Sequence, residues 1–210
     1  MKVLVTGTST GIGRGIAEKF LAEGHTVIGL DVAESTIAHE NYAHYIADVA
    51  CPEQLPAVEG VEILINNAGV QDSGRDIDVN LRGTIYCTEK YGIQPNIKSI
   101  VMTASVSAHN GAEFPEYCAS KGGVLAYTKN VALRVAKYGA TCNSISAGGV
   151  ITELNAHILE KPALWDQVMA ETLLPKWNSA IQEPDAFTQL PLQRDFYARN
   201  VKNAKERTVV

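Results

Sequence analysis

Short apolar runs alternate with helix-patterned stretches along most of the chain. "KVLVTG", from Lys2 to Gly7, reads as a strand rich in β-branched residues and stopped by glycine. "GIAEKFLAEG" follows with apolar residues at helical spacing and Gly24 as its stop. "HTVIGLDV" is a second strand, and "AHYIADV" a weaker third that ends at Asp48. "VEILINNAG" is apolar enough to be buried on both faces. A helix over "NLRGTIYCTEKYG" leads to the strand "KSIVMTASV", and the loop "AHNGAEFPE" leads to a long helix ending at Gly139. "ATCNSISAGG" closes the series as a sixth strand. Such β-α alternation predicts an α/β fold: a doubly wound parallel sheet of six strands between two helical layers. Right-handed crossovers then line the carboxyl ends of the strands along one rim, where sheets of this kind bind ligands.

From about residue 153 the pattern weakens. "ALWDQVMAETLL" predicts a helix, and after Trp177 the chain turns polar. We found no internal repeat or linker. Residues 1–177 are therefore expected to form one domain, with 178–210 a tail of that same domain. A chain of 210 residues suits one domain with a sizeable core. Its net charge of -5 gives no electrostatic reason to expect nucleic acid. No apolar run reaches the roughly 20 residues of a membrane span, so no membrane partner is expected. "MKVLVTG" moves straight into a strand rather than a secretion signal, which points to a cytoplasmic protein. Cys51, Cys87, Cys118 and Cys142 are widely spaced and read as free thiols. The five histidines are scattered without metal-ligand spacing, so no metal is expected.

Chemistry enters with "VTGTSTGIGRGIAEKF", a strand, a glycine turn and a helix. Gly7 can take a backbone conformation closed to other residues. Gly11 lets the main chain approach a ligand, and Gly13 lets the helix pack on the strand. Ser9, Thr10 and Ile12 complete the turn. The helix N-terminus then presents N–H groups and a positive dipole end to a pyrophosphate. A tight turn with no ligand uses the same glycines, so the next strand matters. It ends at Asp31, 18 residues after Gly13. A carboxylate there accepts hydrogen bonds from ribose hydroxyls and repels a 2′-phosphate. No Lys or Arg lies among Thr8, Ser9 and Thr10 or directly after Asp31, which favours NAD over NADP.

"EYCASKGG" places Tyr117 and Lys121 four residues apart, on one face of a helix. Alone, such a pair is commonly a solvated one. Together with Asn66-Asn67-Ala68-Gly69, Asp48-Val49 and Asn80-Leu81-Arg82-Gly83 in this order, it makes residues 1–152 resemble the short-chain dehydrogenase/reductase family, with its Rossmann-like sheet. The resemblance implies that Asp48 and Val49 meet the adenine and that Asn67, Ala68 and Gly69 border the cofactor. It makes Tyr117 the acid/base. Free tyrosine titrates near pH 10, and an adjacent ammonium favours its phenolate. Lys121 would also hold the nicotinamide ribose, Asn80 a relay water, and a strand-end serine the substrate oxygen. Ser105 fits the strand end, although it lies 12 residues before Tyr117, one fewer than the family interval; Ser107 is the alternative. Val150 and Thr152 would reach the nicotinamide amide or the phosphates.

The expected activity is therefore NAD-dependent interconversion of an alcohol and a ketone as small-molecule substrate. The alternatives are a catalytically silent NAD-binding protein or a 3-oxoacyl-carrier-protein reductase. Glu113, Phe114, Leu154, His157 and Trp165 are candidates for the substrate mouth. Three departures stand out. The segment from Gly69 to Asn80 is shorter than the family's, Ala147-Gly148 replaces its Pro-Gly, and residues 178–210 lack its seventh-strand signature. A homodimer through the helices around 81–91 and 118–138 remains expected, with a tetramer left open.

Overall fold

β1 (Lys2–Thr6), β2 (Thr26–Asp31) and β4 (Ile63–Asn66) are buried along most of their lengths, as a central parallel sheet requires. The structure is a computed structural model that describes residues 1–112, 114–171 and 178–179. With β3 (Tyr42–Ile46), β5 (Ser99–Ser105) and β6 (Thr141–Ala147), these strands form one sheet in the order β3-β2-β1-β4-β5-β6. Every pairing is parallel. The winding direction reverses at the β1/β4 boundary, and such a switch point opens a crevice at the carboxyl ends.

The continuous apolar runs resolve into alternating faces. Val3, Val5, Ile63 and Ile65 pack with Ile16, Ala17 and Phe20 of α1 (Gly11–Ala22) on one side. Leu4, Leu64, Ile100 and Met102 point to the other side, against Val79, Cys87 and Tyr91 of a helix over 77–92 and Val124, Val131 and Val135 of α4 (Pro115–Val135). That is the three-layer arrangement expected from the pattern, with the period of two hidden because both faces are apolar.

The helix over 77–92 is not regular. Turns of π-helix, Ile77–Gly83 and Thr88–Gly92, flank α2 (Thr84–Cys87). Threonine hydroxyls bond back into this stretch: Thr84 Oγ1 to the Asn80 carbonyl and Thr88 Oγ1 to the Thr84 carbonyl, both at 2.7 Å. Before it, the shortened segment makes a turn with Asp72 at φ 52° and Gly74 at φ 71°.

Three details differ from the sequence reading. The loop "AHNGAEFPE" begins inside a helix, α3 (Ser107–Asn110), closed by Gly111 at φ 71°. The long helix ends at Val135 and reaches Gly139 through a 3-10 turn, Ala136–Tyr138. After β6, β7 (Val150–Ile151) pairs with β8 (Asn178–Ser179) outside the main sheet. α5 (Ala156–Leu159) and α6 (Pro162–Glu171) lie between these two strands in the chain. Among the described residues the main sheet ends at β6. Residues 190–210, where a seventh strand would fall, lie outside the described residues, as does Glu113. The four cysteines are free, with Cys87 and Cys142 buried. No described helix is long and apolar enough to cross a membrane.

Candidate active site

The glycine turn is fixed by close backbone approach. Gly7, at φ +75°, donates its N–H to the Leu30 carbonyl at 2.7 Å; a Cβ on it would lie 2.9 Å from Ala68 Cα. A Cβ on Gly13 would lie 1.9 Å from the Gly7 carbonyl oxygen, so no larger residue fits. Asn67 and Ala68 both donate their backbone N–H to Thr6 Oγ1 at 2.9 Å, and Asn67 Nδ2 donates to the Thr6 and Gly7 carbonyls at 3.1 and 3.3 Å. The Asn-Asn-Ala-Gly segment is thereby laced to the glycine turn. α1 begins without a side-chain cap or an acidic residue in its first turn, which leaves N–H groups and the dipole for an anion. Thr152 borders the same turn, its Cγ2 being 3.4 Å from a Cβ placed on Gly11, and Val150 is buried beside it in sequence. This cradle fits a dinucleotide.

At the end of β2, Asp31 accepts N–H groups from Ser9 (2.9 Å, Oδ2) and Ala33 (3.0 Å, Oδ1). Thr36 Oγ1 donates to the Ser9 carbonyl at 2.7 Å, and Tyr42 OH meets Thr8 Oγ1 at 2.9 Å. These bonds point the carboxylate beside the glycine turn, where a ribose is expected. Asp48 accepts the Ala50 N–H at 2.9 Å and Arg75 Nη2 at 2.6 Å. Burial pushes Asp48 up, but the Arg75 guanidinium and the Ala50 N–H outweigh it and hold the carboxyl below its usual range. Val49 is buried next to it, and its Cγ2 would be 2.6 Å from a Cβ on Gly83. Arg75 was not apparent from the sequence as part of this region. Its signal was the shortened Gly69–Asn80 segment, which brings it across to Asp48.

Tyr117 and Lys121 face each other on α4, with Lys121 Nζ 5.7 Å from the centroid of the Tyr117 ring. The lysine is 4% exposed and donates to the Thr103 carbonyl on β5 at 2.9 Å. Burial lowers it to about 8, and Asp76 acts in the opposite sense. Asn80 is fully buried. Its Oδ1 accepts the Val70 N–H at 2.8 Å, and its Nδ2 donates to the Val70 carbonyl at 2.9 Å and to Ser120 Oγ at 3.0 Å. Both amide protons are thus taken by protein, and the side chain straps the loop after β4 to α4. Gly69 joins this group: a Cβ there would be 3.2 Å from Asn80 Oδ1 and 3.3 Å from Lys121 Nζ.

The two serine alternatives are neighbours. Ser105 Oγ lies 3.1 Å from Ser107 Oγ and accepts the Ser107 N–H at 3.1 Å, at the carboxyl end of β5. Nearby, His109 Nε2 is 2.9 Å from Ser146 Oγ on β6, a pairing that the sequence pattern did not signal. Of the candidates for the substrate mouth, Phe114 is half-buried at the start of α4. Leu154 and Trp165 lie on the segment after β6. The side chain of His157 lies outside the described residues.

Residues 1–163 match the family model described as short chain dehydrogenase. The chain belongs to the short-chain dehydrogenase family. It is 30% identical over 224 aligned residues to a 2-(R)-hydroxypropyl-CoM dehydrogenase of Xanthobacter autotrophicus, covering 87% of this chain and 88% of that one. The fold is similar to the ligand-free aldohexose dehydrogenase of Thermoplasma acidophilum, with a TM-score of 0.75 and 29% identity over 89% of this chain and 85% of that one. It is also similar to a 3-oxoacyl-[acyl-carrier protein] reductase from Brucella melitensis in complex with NAD. There the TM-score is 0.76 and the identity 26%, over 90% and 89% of the two chains. The chain is thus an oxidoreductase of a family that depends on a nicotinamide dinucleotide.

Proposed function

We propose that this family member is an NAD-dependent oxidoreductase that interconverts an alcohol and a ketone. The observation that carries the reading is the buried Lys121 ammonium beside the Tyr117 ring, wedged against Gly69 of the segment laced to the glycine turn. The bound dinucleotide would supply the hydride acceptor or donor. The N-terminus of α1 and the glycines Gly7, Gly11 and Gly13 hold its pyrophosphate, and the Asp31 carboxylate takes the adenosine ribose hydroxyls. Asp31 now accepts two backbone N–H groups, and each oxygen keeps a lone pair for a hydroxyl. In oxidation, the Tyr117 phenolic oxygen takes the alcohol proton, and the Lys121 charge stabilises the phenolate. Ser105, oriented by the Ser107 N–H, donates to the substrate oxygen as its charge changes. Asn80 keeps the loop after β4 against α4 and lies beside Lys121 where a relay water would be held.

The test is Tyr117→Phe assayed on a panel of alcohols and ketones, with NADH binding followed by fluorescence. Turnover should fall about 10²- to 10⁴-fold while NADH still binds. Undiminished turnover would remove the tyrosine from the mechanism. A 3-oxoacyl-carrier-protein reductase is the second reading, supported by the likeness to the NAD-bound Brucella melitensis enzyme. Faster reduction of an acyl thioester than of simple ketones would favour it. A homodimer across the outer faces of α4 and the helix over 77–92 completes the proposal, and sedimentation at twice the monomer mass tests it.

A further inference from the structure

One side chain of the edge strand reaches across its neighbour to the glycine turn. β3 pairs with β2, yet Tyr42 OH lies 2.9 Å from Thr8 Oγ1, just beyond the end of β1. A glycine in the intervening strand leaves the room for this. A Cβ on Gly29, inside β2, would be 2.0 Å from Tyr42 OH and 2.5 Å from Thr8 Oγ1. Glycine inside a strand weakens it, and it often marks a place where another group comes close. The same phenol lies 3.0 Å from His44 Nδ1, and His44 Nε2 meets the Ala33 carbonyl at 2.9 Å. Burial pushes the Tyr42 phenol up, so it is an uncharged hydroxyl at neutral pH.

We propose that Tyr42 is a positioning residue of the cofactor site, one that holds Asp31 toward the adenosine ribose by bracing the segments that carry its two N–H donors. Those donors are Ser9 and Ala33. Ser9 follows Thr8, which is fully buried and meets the Tyr42 phenol, while Ala33 gives its carbonyl to His44. Ser9 Oγ also donates to the Ala33 carbonyl at 3.3 Å, and Thr36 Oγ1 donates to the Ser9 carbonyl at 2.7 Å. The two donors are therefore tied to each other and, through His44 and Thr8, to one phenol on the edge strand. Without that phenol, the buried Thr8 hydroxyl and the His44 ring each lose a partner, and the turn must shift to regain one. The carboxylate then loses its fixed aim, and a site that has to be ordered on binding holds its ligand less tightly. Because the brace acts through Asp31, a cofactor that does not use this carboxylate should not depend on it.

The proposal rests on the reading of Asp31 as the ribose carboxylate, and fluorescence titration of NADH and NADPH tests it without turnover. Tyr42→Phe keeps the ring and removes the hydroxyl, and NADH should then bind about 3- to 10-fold more weakly. NADPH, whose 2′-phosphate replaces a hydroxyl that Asp31 would accept, should change by less than about twofold. In an Asp31→Ser background, Tyr42→Phe should cost NADH less than about twofold, because the residue through which it acts is gone. Thr8→Val removes the other end of the bond. It should match Tyr42→Phe, and the two together should lose no more than either alone. This variant also decides the matter if Tyr42→Phe does not fold. Unmoved NADH affinity in the folded variants, an equal loss for NADPH, or the same loss in the Asp31→Ser background overturns the proposal and leaves the cofactor reading in place. A wild-type chain that binds neither dinucleotide overturns both. If the affinities move as stated while no substrate is turned over, the dehydrogenase reading fails and the brace stands.

Discussion

At the scale of one residue, Lys121 carries its charge at a cost to stability. Its side chain is 4% exposed, and burial lowers it from 10.5 to about 8. Below pH 8 the folded state therefore holds an ammonium that the unfolded chain solvates better, at a cost of about 3 kcal/mol. The sign follows from proton counting. Between about pH 8 and 10.5 the unfolded chain binds more protons, so this group adds stability as pH rises through that window. Lys121→Met should raise Tm at pH 7 by on the order of 5 °C and abolish turnover. Thermal melts at pH 7 and pH 10 should show this advantage shrinking at the higher pH. Asp31 is the second residue with a separable effect. Asp31→Ser removes the like charge facing a 2′-phosphate, so the affinity ratio of NADPH to NADH should rise by about 10-fold or more. Fluorescence titration of the two reduced cofactors measures it. Both positions were legible in the sequence because each belongs to a motif with fixed spacing. Arg75 was not legible. Its pairing with Asp48 depends on where a shortened loop lands, and no spacing rule encodes that.

At the scale of elements, the β1–turn–α1 unit is tightly constrained. A methyl group on Gly13 would meet the Gly7 carbonyl at 1.9 Å and Asn67 Nδ2 at 2.4 Å, so helix and strand would have to separate. Gly13→Ala should destabilise the fold by about 2 kcal/mol or more and abolish NADH binding; denaturant melts and fluorescence titration check both. Strands and helices with long apolar patterns were readable from periodicity. α3 was not, because four residues carry too little pattern and its start is decided by a hydrogen bond from the Ser107 N–H to Ser105 Oγ. The π-helical turns around α2 escaped for a similar reason. Threonine hydroxyls bonding back to carbonyls and the packing of Gly83 against Val49 set the winding there, and neither is a periodic signal.

For the whole molecule, the crevice at the carboxyl ends gathers groups from the ends of β1, β2, β4, β5 and β6 and from α4. A ligand bound there should stabilise the entire sheet. NADH at about 100 times its dissociation constant adds about 2.7 kcal/mol, which corresponds to a Tm rise of roughly 5–10 °C. NADPH at the same concentration should give a clearly smaller shift, and a larger NADPH shift would reverse the cofactor assignment. The sequence by itself determined the α/β class, the glycine turn, the Tyr117/Lys121 pair and the carboxylate at Asp31. These depend on local geometry, on periods of 2 and 3.6 residues and on short fixed intervals. Tertiary structure alone decided that Arg75 closes on Asp48, that Asn80 straps a loop to α4, and that Asp76 is buried where it accepts the Asp72 and Ser73 N–H groups. Burial, charge pairing and desolvation arise between segments that meet only after folding, so their energies are written in no single stretch of the chain.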